Sequence, residues 1–417
     1  MAVNWKDRAT YFGIIALGIP FSISIGNLFL FLGGAGLLFL TLKQSRYSFK
    51  ISSPNIAWLY PLSFFGMVLT SALFSGDVVR GMVQVDKHLV VALYGLIFMF
   101  CSPVGRDEYE FTLKAFTAGT FLVCGLLLLA AIIKFIGSGD SEVFFFFEFG
   151  AFLDLHPVYI AINLVISSLY LIHEYSKKPR SKEQTLLFVG VQIIFVTGLL
   201  LCASKAVLVI FAIMATVEFF LALRKKSQKL IGVLIIGILL TGAFAIPQLH
   251  KRFSEGLHFD LEEFRPVSDL SEAKVFSNEE KANISDLEIR YLLWSIGLHH
   301  WDDDRVYLFG YGIGDVQHYL DYYYMYYGLA PSWFEGYNLH NQYLQYLITY
   351  GIVGFCLFIA YLLISYRNAL ITRNRLHLYF LILISGIFIF ECLLSRNKGL
   401  AIFIFLNTIF LSRNYIK

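Results

Sequence analysis

A polar stretch at the start of an apolar run carries the side chains most suggestive of chemistry. Residues 338–347 include His340, Asn341, Gln342 and Gln345 where a long polar region ends. Helical spacing predicts Asn341 and Gln345 on one face, with Gln342 beside them. A histidine in the first turn is disfavoured in its charged form by the helix dipole, so a neutral His340 could accept a proton. The alternative is a polar cap for the free N–H groups of the helix.

Three cationic side chains lie at other boundaries between polar and apolar segments. Arg290 lies in the long polar region, and its planar guanidinium could bind phosphate oxygens in a bidentate manner. Lys205 follows Ser204 in a turn between two apolar runs, and Arg396 lies in a second short turn, preceded by Glu391 inside an apolar run. Each has a structural alternative: a surface arginine, a lysine that extends to the membrane surface, and an interfacial cap.

Another histidine, His156, precedes Pro157 at the start of an apolar run. Proline suits the first turn of a helix, so His156 lies at a predicted helix start. It could line the same vestibule as His340, or it could only cap the helix. The run 299–304, with two histidines and three aspartates, matches no defined metal geometry, and no metal site is predicted.

The composition places the chain among membrane proteins. It is 57% hydrophobic and only 15% charged, whereas a soluble domain is roughly half apolar and a quarter charged. The apolar residues form blocks of about twenty, the length of a membrane-spanning helix. The five cysteines lie in or beside apolar runs without a CxxC pair, so neither a disulfide framework nor a zinc site is predicted.

We predict an all-α polytopic membrane protein with about twelve transmembrane helices. Residues 1–247 contain the first nine, 248–338 form one large periplasmic loop domain, and 339–417 contain the last three. Lysine and arginine clusters at 177–182 and 224–229 predict the cytoplasmic side and place both termini there. The predicted spans are 10–25, 27–42, 56–74, 88–101, 112–136, 156–173, 184–202, 206–223, 230–247, 339–365, 377–394 and 400–412.

The long loop is acidic and its second half is the better ordered part. It contains sixteen aspartates and glutamates against seven lysines and arginines. Ser285 and Glu288 have the spacing of a capping box, which predicts a helix over 287–301. A glycine turn at 308–315 follows, without the spacing of a dinucleotide fingerprint. An aromatic run then extends over 319–337.

Three motifs occur in a characteristic order: Arg290 with Tyr291–Trp294, the glycine turn 308–315, and 340–345 followed by Gly351 and Gly354. This order resembles the O-antigen ligase and O-antigen polymerase family of bacterial inner-membrane glycosyltransferases. The resemblance implies a metal-independent enzyme without cofactor or nucleic acid partner. It implies a glycan donor on undecaprenyl diphosphate, an acceptor that is lipid A-core or another glycan, and an active site that faces the periplasm among membrane lipids. Attack opposite a departing lipid diphosphate would invert the anomeric centre.

The resemblance also implies roles for individual residues. His340 matches the essential periplasmic histidine and Arg290 the arginine of the large loop, which makes both candidate catalytic residues. Arg290, Lys205 and Arg396 would bind diphosphate, although the family commonly has arginine at the position of Lys205. Asn341, Gln342, Gln345 and His156 would be supporting polar residues. In the mechanism that we predict from these residues, the aromatic run would stack on the faces of sugar rings.

Two other functions remain open from the sequence. The first is a polysaccharide polymerase, which would have the same motifs and the same chemistry as a ligase of lipopolysaccharide biosynthesis. A transporter of lipid-linked glycans belongs to a different class, which typically has internal repeats and broken helices near the middle of the membrane. Here the polar groups gather on one predicted membrane face, which favours a surface enzyme.

Overall fold

The computed structural model describes residues 7–44, 56–101, 103–177, 180–222, 247–255, 258–261 and 263–412, together with 237, 241 and 245. Across these residues the chain is helical and has no strand. The helices of the first part are α1 Arg8–Gly18, α2 Ile23–Gln44, α3 Ile56–Leu73, α4 Val78–Cys101, α5 Arg106–Ser138, α6 Phe146–Gly150, α7 Pro157–Lys177, α8 Lys182–Leu201 and α9 Lys205–Ala222.

The second part contains the loop segment and the last helices. They are α10 Pro247–Glu255, α11 Asn278–Asn283, α12 Asp286–Asp303, α13 Val316–Tyr326, α14 Gln342–Ile371, α15 Arg375–Ile387 and α16 Asn397–Ser412. Short 3-10 turns occur at Ser141–Phe144, Ala151–Leu153, Leu270–Glu272 and Leu393–Ser395.

Seven helices are long and apolar enough to cross a membrane, namely α2, α3, α4, α5, α7, α8 and α14. The helices α15 and α16 are apolar but shorter. The chain is therefore a multi-pass helical membrane protein. Helix α7 is the most enclosed of the seven, because other helices pack around it: 83% of the residues in its most apolar stretch are buried. The predicted ninth span, 230–247, falls almost entirely outside the described residues.

Several predicted helix boundaries were wrong. The first two helices separate at residues 19–22, and Gly26 lies inside α2 rather than between the two helices, as the predicted spans 10–25 and 27–42 implied. The fourth helix begins at Val78, ahead of the predicted residue 88. The predicted span 377–394 is also too long, because α15 ends at Ile387.

Helix α14 is broken at Gly351, where φ is 64° and ψ is −167°. The break frees backbone groups, and the glycine turn 308–315 hydrogen-bonds to them. The amides of Tyr311 and Gly312 donate to the carbonyls of Ile348 and Thr349, each at 2.9 Å. A Cβ at Gly351 would lie 2.3 Å from the carbonyl of Leu308. Glycine is therefore required where the two backbones approach.

The glycine turn also attaches the loop segment to the first half of the bundle. The Asp315 carboxylate accepts hydrogen bonds from the amides of Gly76 and Asp77, at 2.6 and 2.8 Å. These amides precede α4, where an acidic cap satisfies free N–H groups and complements the helix dipole. The hydroxyls of Ser71 and Ser75 accept from Ile313 and Gly314. The turn thus fixes the loop segment on both α4 and α14.

The predicted helix after the capping box is confirmed as α12. The Ser285 hydroxyl accepts from the Glu288 amide at 3.2 Å, and the Glu288 carboxylate accepts from the Ser285 amide at 2.8 Å. The apolar face of α12 packs with α13 in a separate hydrophobic core that also contains Leu339 and Ile348. Because Leu339 precedes His340, this core positions the His340 segment directly.

Candidate active site

His340 precedes helix α14 and does not lie in its first turn, which corrects the prediction. Asn341 is the N-cap, and its side-chain oxygen accepts from the amides of Tyr343 and Leu344 at 3.0 and 3.1 Å. His340 has a left-handed backbone, with φ at 45°. Such a conformation is uncommon for a residue other than glycine and concentrates at functional sites.

Two contacts hold the backbone of the preceding residue, Leu339. Its carbonyl accepts from the Trp294 indole at 2.6 Å, and its amide donates to the Gln345 side chain at 3.0 Å. The Tyr337 ring packs edge-on against the His340 ring, with 5.6 Å between centroids. Gln345 is a buried polar residue whose side-chain hydrogen bond to Leu339 holds the segment before His340 in place.

Gln342 holds a second segment in place, the one that follows α15. The backbone N–H of Gln342 donates to the Phe388 carbonyl, and the side-chain Oε1 of Gln342 accepts from the backbone N–H of Leu394, both at 2.7 Å. These bonds end α15 and fold residues 388–394 back over the start of α14. Glu391 lies in this folded segment, whereas its apolar neighbours in the sequence suggested a continuous span.

The Glu391 carboxylate faces the His340 ring. Its Oε2 lies 3.6 Å from His340 Nδ1, and both side chains are 28% exposed. Burial raises the pKa of Glu391, but the interaction with His340 and the charges of His156 and Arg290 outweigh it, so that the pKa is lowered. Glu391 is thus an anion at neutral pH. From the sequence, Glu391 is expected only inside a predicted span ahead of Arg396, because its pairing with His340 depends on the fold of 388–394.

His156 lies near the same pair, since the charges of both Glu391 and His340 act on its pKa. Its Nδ1 accepts from the Val158 amide at 3.3 Å, so it also caps α7. The Phe147 ring packs edge-on against the imidazole at 5.1 Å. Burial lowers the pKa of His156, and the charges of Arg396 and His340 lower it further, while Glu391 opposes them. His156 is therefore held neutral next to the anionic Glu391.

Arg290 and Lys205 converge on one aspartate at the start of α12. The Arg290 guanidinium donates to the Asp286 carbonyl and, at 3.4 Å, to the carbonyl of Phe390. Lys205 Nζ lies 3.0 Å from the Asp286 carboxylate. Because Phe390 precedes Glu391, Arg290 lies near the Glu391 carboxylate, and its charge acts on the pKa of that group. Lys205 is linked to the same helix start through Asp286.

Two cations with different surroundings lie at the start of α16, Arg396 just before the helix and Lys398 in its first turn. Lys398 is buried, and its ammonium donates to the carbonyls of Ile19 and Phe21 at the end of α1. It therefore fastens α16 to α1. Arg396 is exposed, and within the described part of the chain its guanidinium has no hydrogen bond or ion pair. Its charge acts on the pKa of His156, which places it at the edge of the site.

A separate group of possible metal ligands lies towards the far end of α12. Single ligand atoms of His299, His300 and Asp303 lie within 4.8 Å of one another. His300 is buried, and burial lowers its pKa to about 4. Its ring stacks on Tyr323 at 3.8 Å, and its Nε2 lies 3.2 Å from the Tyr327 hydroxyl. This group lies about 15 Å along the helix from Arg290, given a rise of ~1.5 Å per residue, and plays no part in the site at His340.

The arrangement suits the transfer of a group that leaves as an anion. Next to the pair of His340 and the anionic Glu391, Arg290 acts on Glu391 and Arg396 acts on the neighbouring His156, while Lys205 binds Asp286 at the start of the helix that carries Arg290. Cations stabilise charge that develops on a departing phosphate, and a histidine next to a carboxylate can accept a proton.

The model of the O-antigen ligase family matches residues 190–359. The match covers Lys205, Arg290, His340 and the glycine turn with its partner Gly351, whereas His156, Glu391 and Arg396 lie outside it. Members of this family are glycosyltransferase-like enzymes that act on lipid-linked glycans and acceptors. Comparison with curated proteins finds no match. The family match confirms the resemblance inferred from the three motifs.

Proposed function

We propose that this chain, a member of the O-antigen ligase and polymerase family, transfers a glycan from undecaprenyl diphosphate to an acceptor sugar. In the ligase reaction the acceptor is lipid A-core. The observation that carries the proposal is the pairing of His340 with Glu391 next to Arg290, whose helix also binds Lys205 through Asp286. A proton acceptor and a phosphate site on opposite sides of one sugar carbon are what such a transfer requires.

The cations would bind the diphosphate and stabilise it as it leaves. Arg290 is fixed through carbonyls of Asp286 and Phe390, so its fork is oriented before the substrate arrives. Lys205 is oriented by the Asp286 carboxylate, and Arg396 is free to bind from the other side. Such preorganised charges act most strongly where negative charge grows in the transition state.

His340 would accept the proton of the acceptor hydroxyl. Its Nδ1 faces Glu391, which favours the tautomer with the proton on Nδ1 and leaves the lone pair of Nε2 for the hydroxyl. Glu391 would then stabilise the imidazolium. In the transfer step, the acceptor oxygen forms a bond to the sugar C1 as its proton passes to Nε2. The C1–O bond to the diphosphate breaks, its electron pair leaves with the phosphate, and attack from the opposite side inverts the anomeric centre.

The site would face the periplasm of a bacterial inner membrane. The lysine and arginine cluster at 177–182 lies beyond the end of α7, whereas His156 lies just before its start at Pro157. The two ends of α7 therefore differ in charge, and the cluster predicts the cytoplasmic end. This orientation supports the periplasmic placement of the His340 group and the loop segment.

Lys205 tests the diphosphate site most selectively. We expect Lys205→Arg to retain activity and Lys205→Ala to lose about tenfold or more, the effect of one charge-assisted contact of about 1.4 kcal/mol. The measurement is the initial rate of transfer from purified lipid-linked donor. Lys177→Ala is the matched control. Lys177 also pairs with an acidic side chain, but it lies at the end of α7 that is opposite to His156. Equal, near-native activity of both Lys205 variants would show that Lys205 serves only in the ion pair with Asp286.

Deletion of the gene, followed by gel analysis of lipopolysaccharide, tests the function itself. Loss of all glycan-capped chains with accumulation of the lipid-linked donor indicates a ligase. Chains capped with a single repeat unit indicate a polymerase, the second candidate that the same family match supports. A normal gel pattern would reject both. Accumulation of donor that cannot be reached from the periplasm would instead indicate the transporter.

A further inference from the structure

The exposed face of α13 is aromatic where a surface helix usually carries charges. Its buried side consists of Val316, Leu320, Tyr323 and Tyr324. On the opposite side, Tyr319 and Tyr322 are 42% and 45% exposed. Contiguous exposed aromatic surface on a folded protein commonly marks a binding site. One face of the Tyr319 ring stacks on the core residue Tyr311, with 4.4 Å between ring centroids, and 42% of the Tyr319 side chain is still exposed.

A cavity of about 630 Å³ lies against this face. This volume is within the range of sites for small organic ligands, about 300–1,000 Å³. One wall consists of His318, Tyr319, Tyr322 and Met325 of α13, and the other contains Pro331 and Glu335. The tyrosine rings offer flat apolar surfaces, and the exposed Glu335 carboxylate offers hydrogen-bond acceptors. Rings that stack on pyranose faces and carboxylates that accept from hydroxyls are the combination that a sugar chain requires.

The second wall of the cavity leads directly to His340. Asp321 accepts hydrogen bonds from the Gly336 amide at 2.8 Å and from the Gln317 side chain at 2.9 Å. The Gln317 side chain also donates to the Tyr337 carbonyl at 3.2 Å. The Tyr337 ring in turn packs against His340. The cavity and the histidine are therefore neighbours on one braced segment, 335–340.

We propose that this cavity is a subsite for the glycan chain, which binds sugar residues beyond the one that reacts at His340. The inference rests on the proposed function and deepens it. Tyr319 and Tyr322 stack on the sugar rings, and Glu335 accepts hydrogen bonds from their hydroxyls. Either the donor glycan or the acceptor oligosaccharide has this chemistry, and the experiment separates the two sources.

The test compares substrates of different glycan length with full-length enzyme in lipid nanodiscs. One series varies the repeat units of the lipid-linked donor from one to several, and the other varies the sugars of the acceptor. We expect Tyr319→Ala and Tyr322→Ala each to raise KM about five- to tenfold for the longer members of one series, the size of a lost aromatic contact. KM for the shortest member and kcat should change little. The series in which KM rises identifies the bound chain.

Phe309→Ala is the matched control, because Phe309 is 71% exposed on the same loop segment but does not line the cavity. A KM that stays flat along both series, or that rises equally for short and long substrates, overturns the subsite. Calorimetric titration of the delipidated donor glycan and of the delipidated acceptor oligosaccharide into wild-type protein and both variants gives a readout independent of transfer. If the wild-type protein binds either oligosaccharide and the variants bind it more weakly, the subsite is supported. This holds even if the wild-type protein shows no transfer, a result that would reject only the proposed function.

Discussion

Replacement of His340 with alanine is expected to lower the rate of glycan transfer by about 10²–10⁴-fold, the usual contribution of a general base. Affinity for the lipid-linked donor should change little. The reason is that, in the proposed mechanism, His340 would act on the acceptor hydroxyl, whereas Arg290, Lys205 and Arg396 would bind the donor diphosphate. Transfer is measured with purified donor and acceptor, and donor binding is measured separately without acceptor.

His299→Ala is the control for the His340 variant. His299 is a partly exposed histidine on the same loop segment, and it too lies near a carboxylate, at 3.3 Å from Asp303. It belongs to the group of possible metal ligands at the far end of α12, so its loss should leave transfer unchanged. An active His340→Ala enzyme would reject the proposed mechanism. A His340→Ala variant that also loses donor binding would place His340 in the donor site.

The parts of the fold that follow from local patterns could be predicted from the sequence. The capping box at Ser285 and Glu288 predicted the start of α12 because its two hydrogen bonds involve residues three positions apart. The apolar blocks predicted a multi-pass helical protein because a span requires a length of about twenty apolar residues.

The site needed contacts that no local pattern contains. Four polar residues, 338 and 340–342, lie close together at the start of the apolar run, and each could cap a helix. Only the fold shows that Asn341 is the cap and that His340 lies outside the helix. The end of α15 is equally hidden, because Phe388, Ile389 and Phe390 continue its apolar pattern. Gln342 ends that helix from 46 residues earlier in the chain, through its bond to the Phe388 carbonyl. Glu391 therefore reaches His340 only in the folded protein.

Arg290→Ala is expected to weaken donor binding by about tenfold and to lower transfer by about 10²–10³-fold. A phosphate contact exists in the bound donor and strengthens as negative charge grows on the leaving diphosphate, so both steps should suffer and the second more. Arg290→Lys should recover only part of the activity, since lysine keeps the charge but loses the planar fork. Donor affinity and transfer rate are measured on the same preparations.

A structural role for Arg290 would give a different pattern. Its guanidinium also donates to the carbonyls of Asp286 and Phe390, so its loss could displace Glu391 without any effect on phosphate. Arg265→Ala is the control for such bracing, because Arg265 likewise donates to a backbone carbonyl, that of Phe264, outside the site. If Arg290→Ala lowers transfer but binds the donor as tightly as the wild type, Arg290 positions Glu391 rather than the diphosphate. Loss of donor binding in Arg290→Ala, with Arg265→Ala unaffected, assigns the guanidinium to the phosphate.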